Sequence, residues 1–111
     1  MLDLKKLFKS FSFSFEGLKF LFKKEQNIRV HCFISLAVLL LAFILKLTSV
    51  EWIAVLLCIA LVISAEIFNT AIEKTIDYIS LEKHPLAKNI KDISAAAVVF
   101  LAFISVVIGL I

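Results

Sequence analysis

Residues 51–77 read EWIAVLLCIALVISAEIFNTAIEKTID, an uncharged apolar run followed by regularly spaced polar side chains. The run 52–65 carries no charge, and polar residues then recur at Glu66, Asn69, Glu73 and Asp77. On an α-helix these four positions fall within about 80° of one another. The stretch therefore predicts one long helix with a polar column, Glu66, Asn69, Glu73 and Asp77, along one side.

The composition places the chain in a membrane. Its 111 residues are 62% hydrophobic, and the mean hydropathy is +1.06. A soluble chain this short could not bury so much apolar surface. Eleven Phe, two Gly and one Pro argue against linkers and against a turn-rich β fold. We therefore expect a single membrane-embedded domain over residues 1–111.

Three apolar runs, 30–45, 50–72 and 93–111, are long enough to cross a bilayer. A membrane core of ~30 Å needs about 20 helical residues, because each residue adds ~1.5 Å. We predict transmembrane helices at about 28–46, 50–79 and 90–111. With a surface helix over residues 1–24, the expected fold class is an all-α membrane protein.

The basic residues predict the orientation. Seven of the twelve Lys and Arg precede the first apolar run, four lie between the second and third runs, and only Lys46 lies between the first and second. Because basic residues accumulate on the cytoplasmic side, the N-terminus and the second loop are expected there. The polar column then lies toward the cytoplasmic end of its helix.

The first 24 residues have the pattern of an amphipathic helix. Apolar side chains repeat at spacings of three and four on one face, at Leu4, Leu7, Phe8, Phe11, Phe15, Leu18 and Phe22. Such a helix can lie in the cytoplasmic interface or dock on a partner protein, and the pattern serves both uses. Phe13 and Phe20 fall on its polar face and need a contact above the membrane surface.

The polar column admits two interpretations. A carboxylate at the bilayer centre costs roughly 2.5 to 3.5 kcal/mol, so several on one face indicate a site lined by protein or water. Alternatively, Glu73 and Asp77 are only the solvated end of the helix. That alternative is weaker for Glu66, which lies deeper and has no cation beside it in the sequence.

Two further polar clusters flank the spans. KKEQNIRVH (23–31) contains Glu25, Asn27, Arg29 and His31, and LEKHPLAKNIKD (81–92) contains Glu82, Lys83, His84, Lys88, Lys91 and Asp92. Acids that hold a divalent cation, an acid that takes a proton and cations that hold phosphate are the parts that phosphoryl transfer requires. Glycine-rich nucleotide motifs are absent from the sequence, and neither histidine has a partner at zinc spacing.

The sequence resembles the small bacterial integral-membrane lipid kinases, which comprise the prokaryotic diacylglycerol kinases and the undecaprenol kinases. The resemblance covers nearly the whole chain. It depends on EGLKF (16–20), KEQNIRVH (24–31), AEIFNTAIEKTID (65–77) and HPLAKNIKDISAAAVV (84–99), in this order around three spans.

The resemblance implies roles for individual residues. Glu66 matches the base that accepts the proton of the lipid hydroxyl, Glu25 and Glu73 match the pair that binds Mg²⁺, and Asn69 matches a polar residue of the active centre. The positions that match the ATP-binding region are Lys6, Phe13, Glu25, Glu73, Asp77, Glu82, Lys83, His84, Lys91 and Asp92. Lys6 and Phe13 depart from the Arg and Tyr that some members carry there.

The resemblance also implies the reaction and the assembly. ATP would phosphorylate a membrane lipid alcohol directly, in a homotrimer, with no nucleic acid involved; Ser94, Ala95, Ala96 and Ala97 offer a small-residue face for close helix approach. The pattern at Glu25, Asn27, Arg29 and His31 favours undecaprenol over diacylglycerol, and Asn27 and Arg29 are the candidate readers of the lipid. A channel or assembly subunit without nucleotide turnover is the remote alternative.

The orientation gives a direct prediction. A reporter fused after Ile111 should lie on the outer side of the membrane, because three spans follow a cytoplasmic N-terminus. Paired phosphatase and fluorescent-protein fusions measure this. A cytoplasmic C-terminus would mean that one apolar run does not cross.

Overall fold

Four α-helices make up the computed structural model, which describes residues 2–79 and 84–111. They are α1 (Leu4–Lys24), α2 (Gln26–Ile44), α3 (Ser49–Ile79) and α4 (Pro85–Leu110), and the described residues contain no strand. Helices α2, α3 and α4 are each long and apolar enough to cross a membrane. The predicted fold class is confirmed. The predicted nucleotide residues Glu82 and Lys83 lie outside the described residues.

A single extended residue separates α1 from α2. Glu25 has φ −112° and ψ 117°, and its backbone N–H donates to the Leu21 carbonyl at 2.8 Å. Arg29 Nη1 then donates to the carbonyls of Phe22, at 3.2 Å, and Lys23, at 3.0 Å. These are carbonyls that the end of a helix leaves without partners. Arg29 therefore fixes the bend by which α1 leaves the first span.

The turn between α2 and α3 is closed by backbone and side-chain caps. Lys46 has φ 54°, and the N–H groups of Lys46 and Leu47 donate to Phe43 and Ala42, which is the Schellman arrangement. On the other side, Thr48 and Glu51 form a reciprocal capping box, with bonds of 3.1 and 3.3 Å. Helix α3 therefore starts at a defined residue.

Helix α3 is the centre of the fold. It packs along α4 most extensively, then along α2, while α1 contacts α2. Within the part of the chain that the structure describes, the buried apolar residues are few: Ile28, Ala42 and Val98. Most other large apolar side chains face outward, as expected of a chain whose surroundings are lipid or further copies of itself.

The length of α3 decides the depth of its polar residues. Its 31 residues span about 46 Å, more than the ~30 Å of a bilayer core. Glu66 lies about 21 Å along the helix from Trp52, so with Trp52 at one interface it remains inside the apolar layer. Asp77 then lies beyond the layer, about 37 Å from Trp52.

A partly buried side-chain hydrogen bond joins α4 to the middle of α3. Ser94 Oγ donates to Asn69 Oδ1 at 2.6 Å in a partly buried position. The small-residue face predicted for contact between copies thus includes a serine that is used within the chain.

This bond generates a stability prediction. In a double-mutant cycle of Ser94→Ala and Asn69→Ala, the coupling free energy of unfolding in detergent should be about 0.6 kcal/mol, the average for hydrogen bonds between membrane helices, and at most about 1.7 kcal/mol. Ser105→Ala paired with Asn69→Ala is the matched control, because Ser105 lies on α4 away from this contact. Coupling below about 0.3 kcal/mol would contradict the bond.

Candidate active site

Glu66 is the centre of the polar region. Its residue surface is only 3% exposed, and His31 of α2 places Nε2 3.6 Å from Glu66 Oε2. The side chain of Asn27, also on α2, lies close to the same carboxylate. Thr70 is buried beside it and donates its hydroxyl to the Glu66 backbone carbonyl at 3.0 Å. The deepest acid of the chain is therefore covered by polar groups of its own bundle.

Asn69 connects this centre to the next acid. Ser94 donates to Asn69 Oδ1, and Asn69 Nδ2 donates to Glu73 Oε1 at 3.2 Å. Since the serine hydroxyl donates to the amide oxygen, the amide nitrogen is directed at the carboxylate. The result is a hydrogen-bonded line from α4 to Glu73. From the sequence, Ser94 was predicted only as part of a packing face. Its spacing of three from Lys91 is the signal that could have identified it, because this spacing places both residues on one side of α4.

A cation lies over the outer part of the polar column. Lys74 Nζ is 2.8 Å from Glu25 Oε1 and 5.7 Å from the centre of the Phe20 ring. The charges of Asp77 and Glu73 act on the same ammonium. Because both members of the Lys74–Glu25 pair are partly exposed, it contributes little stability, but it joins α1 and its bend to α3. From the sequence, Lys74 was recognisable only as one of the basic residues that indicate the orientation.

The start of α4 carries two ion pairs that point in different directions. Lys91 pairs with Asp77 of α3, whereas Lys88 pairs with Asp92 on α4 itself at 2.7 Å. The Lys88 and Asp92 side chains are 76% and 62% exposed, so their pair faces outward. Lys91 is therefore the basic residue of α4 that reaches the polar column.

Other predicted site residues stand apart from this centre. Lys6 and Phe13 are exposed on α1, and His84 accepts a hydrogen bond from the Leu86 N–H through Nδ1, which caps α4. Arg29 is held by the carbonyls at the end of α1. The predicted residues that the fold groups along the polar column are Glu25, Asn27, Glu66, Asn69, Glu73, Asp77 and Lys91.

The donor set fits a magnesium ion that also binds phosphate. Among residues 2–79 and 84–111, no three His, Cys, Asp or Glu side chains form a cluster that could hold a metal alone. Mg²⁺ in nucleotide sites commonly takes one or two protein carboxylates and completes its shell with phosphates and water. Glu25 and Glu73 are such oxygen donors, and the Lys74 ammonium shows that a cation is stabilised beside them.

Comparison with known proteins identifies the family. The family model for prokaryotic diacylglycerol kinase matches residues 12–111. The chain is 41% identical over 108 residues to the undecaprenol kinase of Bacillus subtilis (strain 168), covering 97% of this chain and 88% of that protein.

Diacylglycerol kinases are also similar. The protein of that name from Haemophilus influenzae is 35% identical over 104 residues, covering 93% of this chain and 88% of its own length. The diacylglycerol kinase of Escherichia coli (strain K12) is 28% identical over 102 residues, covering 92% of this chain and 84% of its own length. The resemblance predicted from the motifs is confirmed: the chain belongs to the prokaryotic diacylglycerol kinase family.

Proposed function

We propose that this protein transfers the γ-phosphoryl group of ATP to the hydroxyl of a membrane lipid alcohol, and that the preferred alcohol is undecaprenol. The proposal depends on one observation. Glu66 is buried in the apolar part of α3, deeper in the membrane layer than the hydrogen-bonded pair of Asn69 and Glu73. A carboxylate at this depth is expensive, and in a family of lipid kinases its use is proton abstraction from a lipid.

The buried acid acts as the general base. A lipid hydroxyl that enters from the apolar layer meets Glu66 before it meets the solvent, and the carboxylate takes its proton as the oxygen attacks phosphorus. The bond from that oxygen to the γ-phosphorus forms while the bond to the β-phosphate oxygen breaks, and the electron pair leaves with ADP. No phosphorylated enzyme residue is required.

The outer part of the polar column holds the nucleotide. Glu25 and Glu73 would hold Mg²⁺, which neutralises charge on the phosphates and orients them when bound. Asn69 donates to Glu73 and so fixes the direction of that carboxylate. Lys91 supplies positive charge toward the transferred phosphoryl group, and its ion pair with Asp77 keeps it over α3.

The remaining nucleotide residues are proposed from the resemblance. Asp92 and His84 lie at the start of α4, near Lys91 in the chain, whereas Lys6 and Phe13 would reach ATP from α1. Glu82 and Lys83, in the second loop, complete the proposed set. Phe13 lies 66% exposed on the polar face of α1, a position from which an aromatic ring can stack on adenine.

A groove supports lateral entry of the lipid. It encloses about 510 Å³ between α1 and α3, and its lining includes Leu18 and Leu21 on one side and Ile67 and Thr70 on the other. The lining is almost wholly apolar, and Thr70 places it beside Glu66. We propose that α1 rests at the membrane surface and that the lipid approaches the base through this groove.

Undecaprenol is preferred to diacylglycerol on two grounds. The 41% identity is to an undecaprenol kinase, and Asn27, part of the pattern that favoured undecaprenol, interacts with the proposed base. Asn27 remains the reader of the lipid hydroxyl, while Arg29 acts indirectly by fixing the bend of α1. The alternative is a diacylglycerol kinase that makes phosphatidic acid.

The proposed setting is the bacterial inner membrane, with the N-terminus in the cytoplasm where ATP is present. A homotrimer would cover the apolar surfaces that the single chain leaves exposed on α4, such as Val99, Phe100 and Phe103. Close approach of helices there is favoured by Ala95 and Ala96.

The test of substrate choice is a comparison of kcat/KM, since discrimination is expressed in that ratio. Purified protein is assayed with each lipid at matched surface concentration in detergent micelles. Undecaprenol should be used about ten to a hundredfold more efficiently than diacylglycerol, because an apolar pocket separates similar tails by only ~1 to 3 kcal/mol. Equal or greater efficiency on diacylglycerol would reverse the order, and absence of lipid-dependent ATP turnover with either would refute the kinase.

Substitution of the base gives a sharper prediction. Glu66→Gln should lower kcat by about 100-fold or more, because it removes the proton acceptor and preserves the size of the side chain. Binding of magnesium nucleotide should persist. Glu51→Gln is the matched control, since Glu51 lies at the far end of α3 and glutamine also serves in a capping box. If Glu66→Gln turns over at a rate near that of the control at saturating lipid, the assignment of Glu66 as the base is wrong.

A further inference from the structure

His31 and Glu66 are in contact, and the proposed reaction assigns no role to His31. Their atoms Nε2 and Oε2 lie 3.6 Å apart across the interface of α2 and α3. The Glu66 side chain is 4% exposed and that of His31 is 23% exposed. The histidine therefore extends from the buried carboxylate toward the outside of the bundle.

The charged groups around this pair have other partners. Glu25 and Glu73 add negative charge near Glu66, and Asn27 adds a neutral side chain. Of the nearby cations, Arg29 is bound to α1 carbonyls, Lys74 to Glu25 and Lys91 to Asp77. Within residues 2–79 and 84–111, His31 is the one basic side chain within 4.0 Å of the Glu66 carboxylate.

The proposed reaction leaves a proton that must be removed. Each transfer converts Glu66 from a carboxylate to a carboxylic acid, and the acid must lose that proton before it can serve again. A side chain so little exposed cannot pass the proton directly to bulk water. Imidazole takes up and releases protons near neutral pH, and a contact of this length can tighten when substrate binds.

We propose that His31 is a positioning residue for the proposed base, holding the Glu66 carboxylate and accepting its proton after each transfer. This inference depends on the proposed function. The O–H bond of Glu66 breaks as an N–H bond forms at His31 Nε2, which gives an imidazolium beside a carboxylate. The imidazolium then releases a proton to water at the more exposed side of α2, and the pair returns to its starting state.

The test separates proton acceptance from packing. His31→Gln keeps an amide that can hydrogen-bond to Glu66 but accepts no proton. It should lower kcat on the order of 10- to 100-fold while leaving the KM for magnesium ATP unchanged. A near-parental kcat in His31→Gln would overturn the proposal. Glutamine can orient the carboxylate by a hydrogen bond but cannot accept its proton, so such a result would mean that His31 only orients Glu66. Parental protein without lipid-dependent turnover would instead refute the proposed function itself.

Chemical rescue supplies the second measurement. Added imidazole should raise the kcat of His31→Ala about tenfold and with saturation, because it restores a proton acceptor beside Glu66. Methylated imidazoles should rescue in the order of their basicity. The Glu66→Gln variant, which lacks the base, should gain nothing and serves as the control. If His31→Ala binds magnesium nucleotide normally and imidazole leaves its kcat unchanged, the proposal is wrong.

Discussion

The cost of placing the Glu66 carboxylate within the apolar layer is the constraint on which the rest of the structure depends. A charge at the centre of that layer costs roughly 2.5 to 3.5 kcal/mol even on the more lenient scales, and a charge between the centre and the interface also needs polar groups around it. Helix α2 supplies such groups, since His31 Nε2 lies 3.6 Å from the carboxylate and Asn27 lies close to it, while Thr70, one turn on in α3, donates to the Glu66 backbone carbonyl. Among residues 2–79 and 84–111, the buried polar residues are Glu66, Asn69 and Thr70, which lie within five positions of one another.

This constraint explains why α3 lies between two helices. The polar side of α3 needs partners from the buried Glu66 to the solvated Asp77, and one neighbouring helix does not contact that whole length. Helix α2 covers the deep part, and α4 covers the middle through Ser94 and the outer part through Lys91. The bend at Glu25 then brings the end of α1 to Lys74. These contacts join α2 and α4 to the polar column, and they join the end of α1 to the lysine that follows Glu73.

Periodicity predicted what belongs to single helices. It predicted the amphipathic character of α1 and the one-sided column, because positions on one helix have fixed relative directions, while the lengths of the apolar runs predicted the three spans. The family was also predictable from its motifs. The assignment of site residues from the resemblance stays a prediction, since the functions of those side chains have not been tested.

Contacts between helices were not predictable in the same way. His31 and Glu66 are far apart in the chain, and no spacing rule relates residues on two spans. The contact between Lys74 and Glu25 depends on the angle of the bend at Glu25, and that bend depends on where Arg29 reaches. The bond from Ser94 to Asn69 depends on the rotation of α4 about its axis. Each of these is set by packing and not by the local sequence.

The central claim is that the polar column of α3 forms one protein-lined site for magnesium nucleotide and base, and carboxylate footprinting tests it most directly. Protein in lipid vesicles is treated with an apolar carbodiimide, and the modification rate of each acid is measured by mass spectrometry, with and without a magnesium complex of a nonhydrolysable ATP analogue. At about ten times the Kd of the analogue, modification of Glu66 and Glu73 should slow about tenfold, while the rates at Glu16 and Glu51 stay the same. Equal rates at Glu66 and Glu73 with and without the analogue would contradict the account.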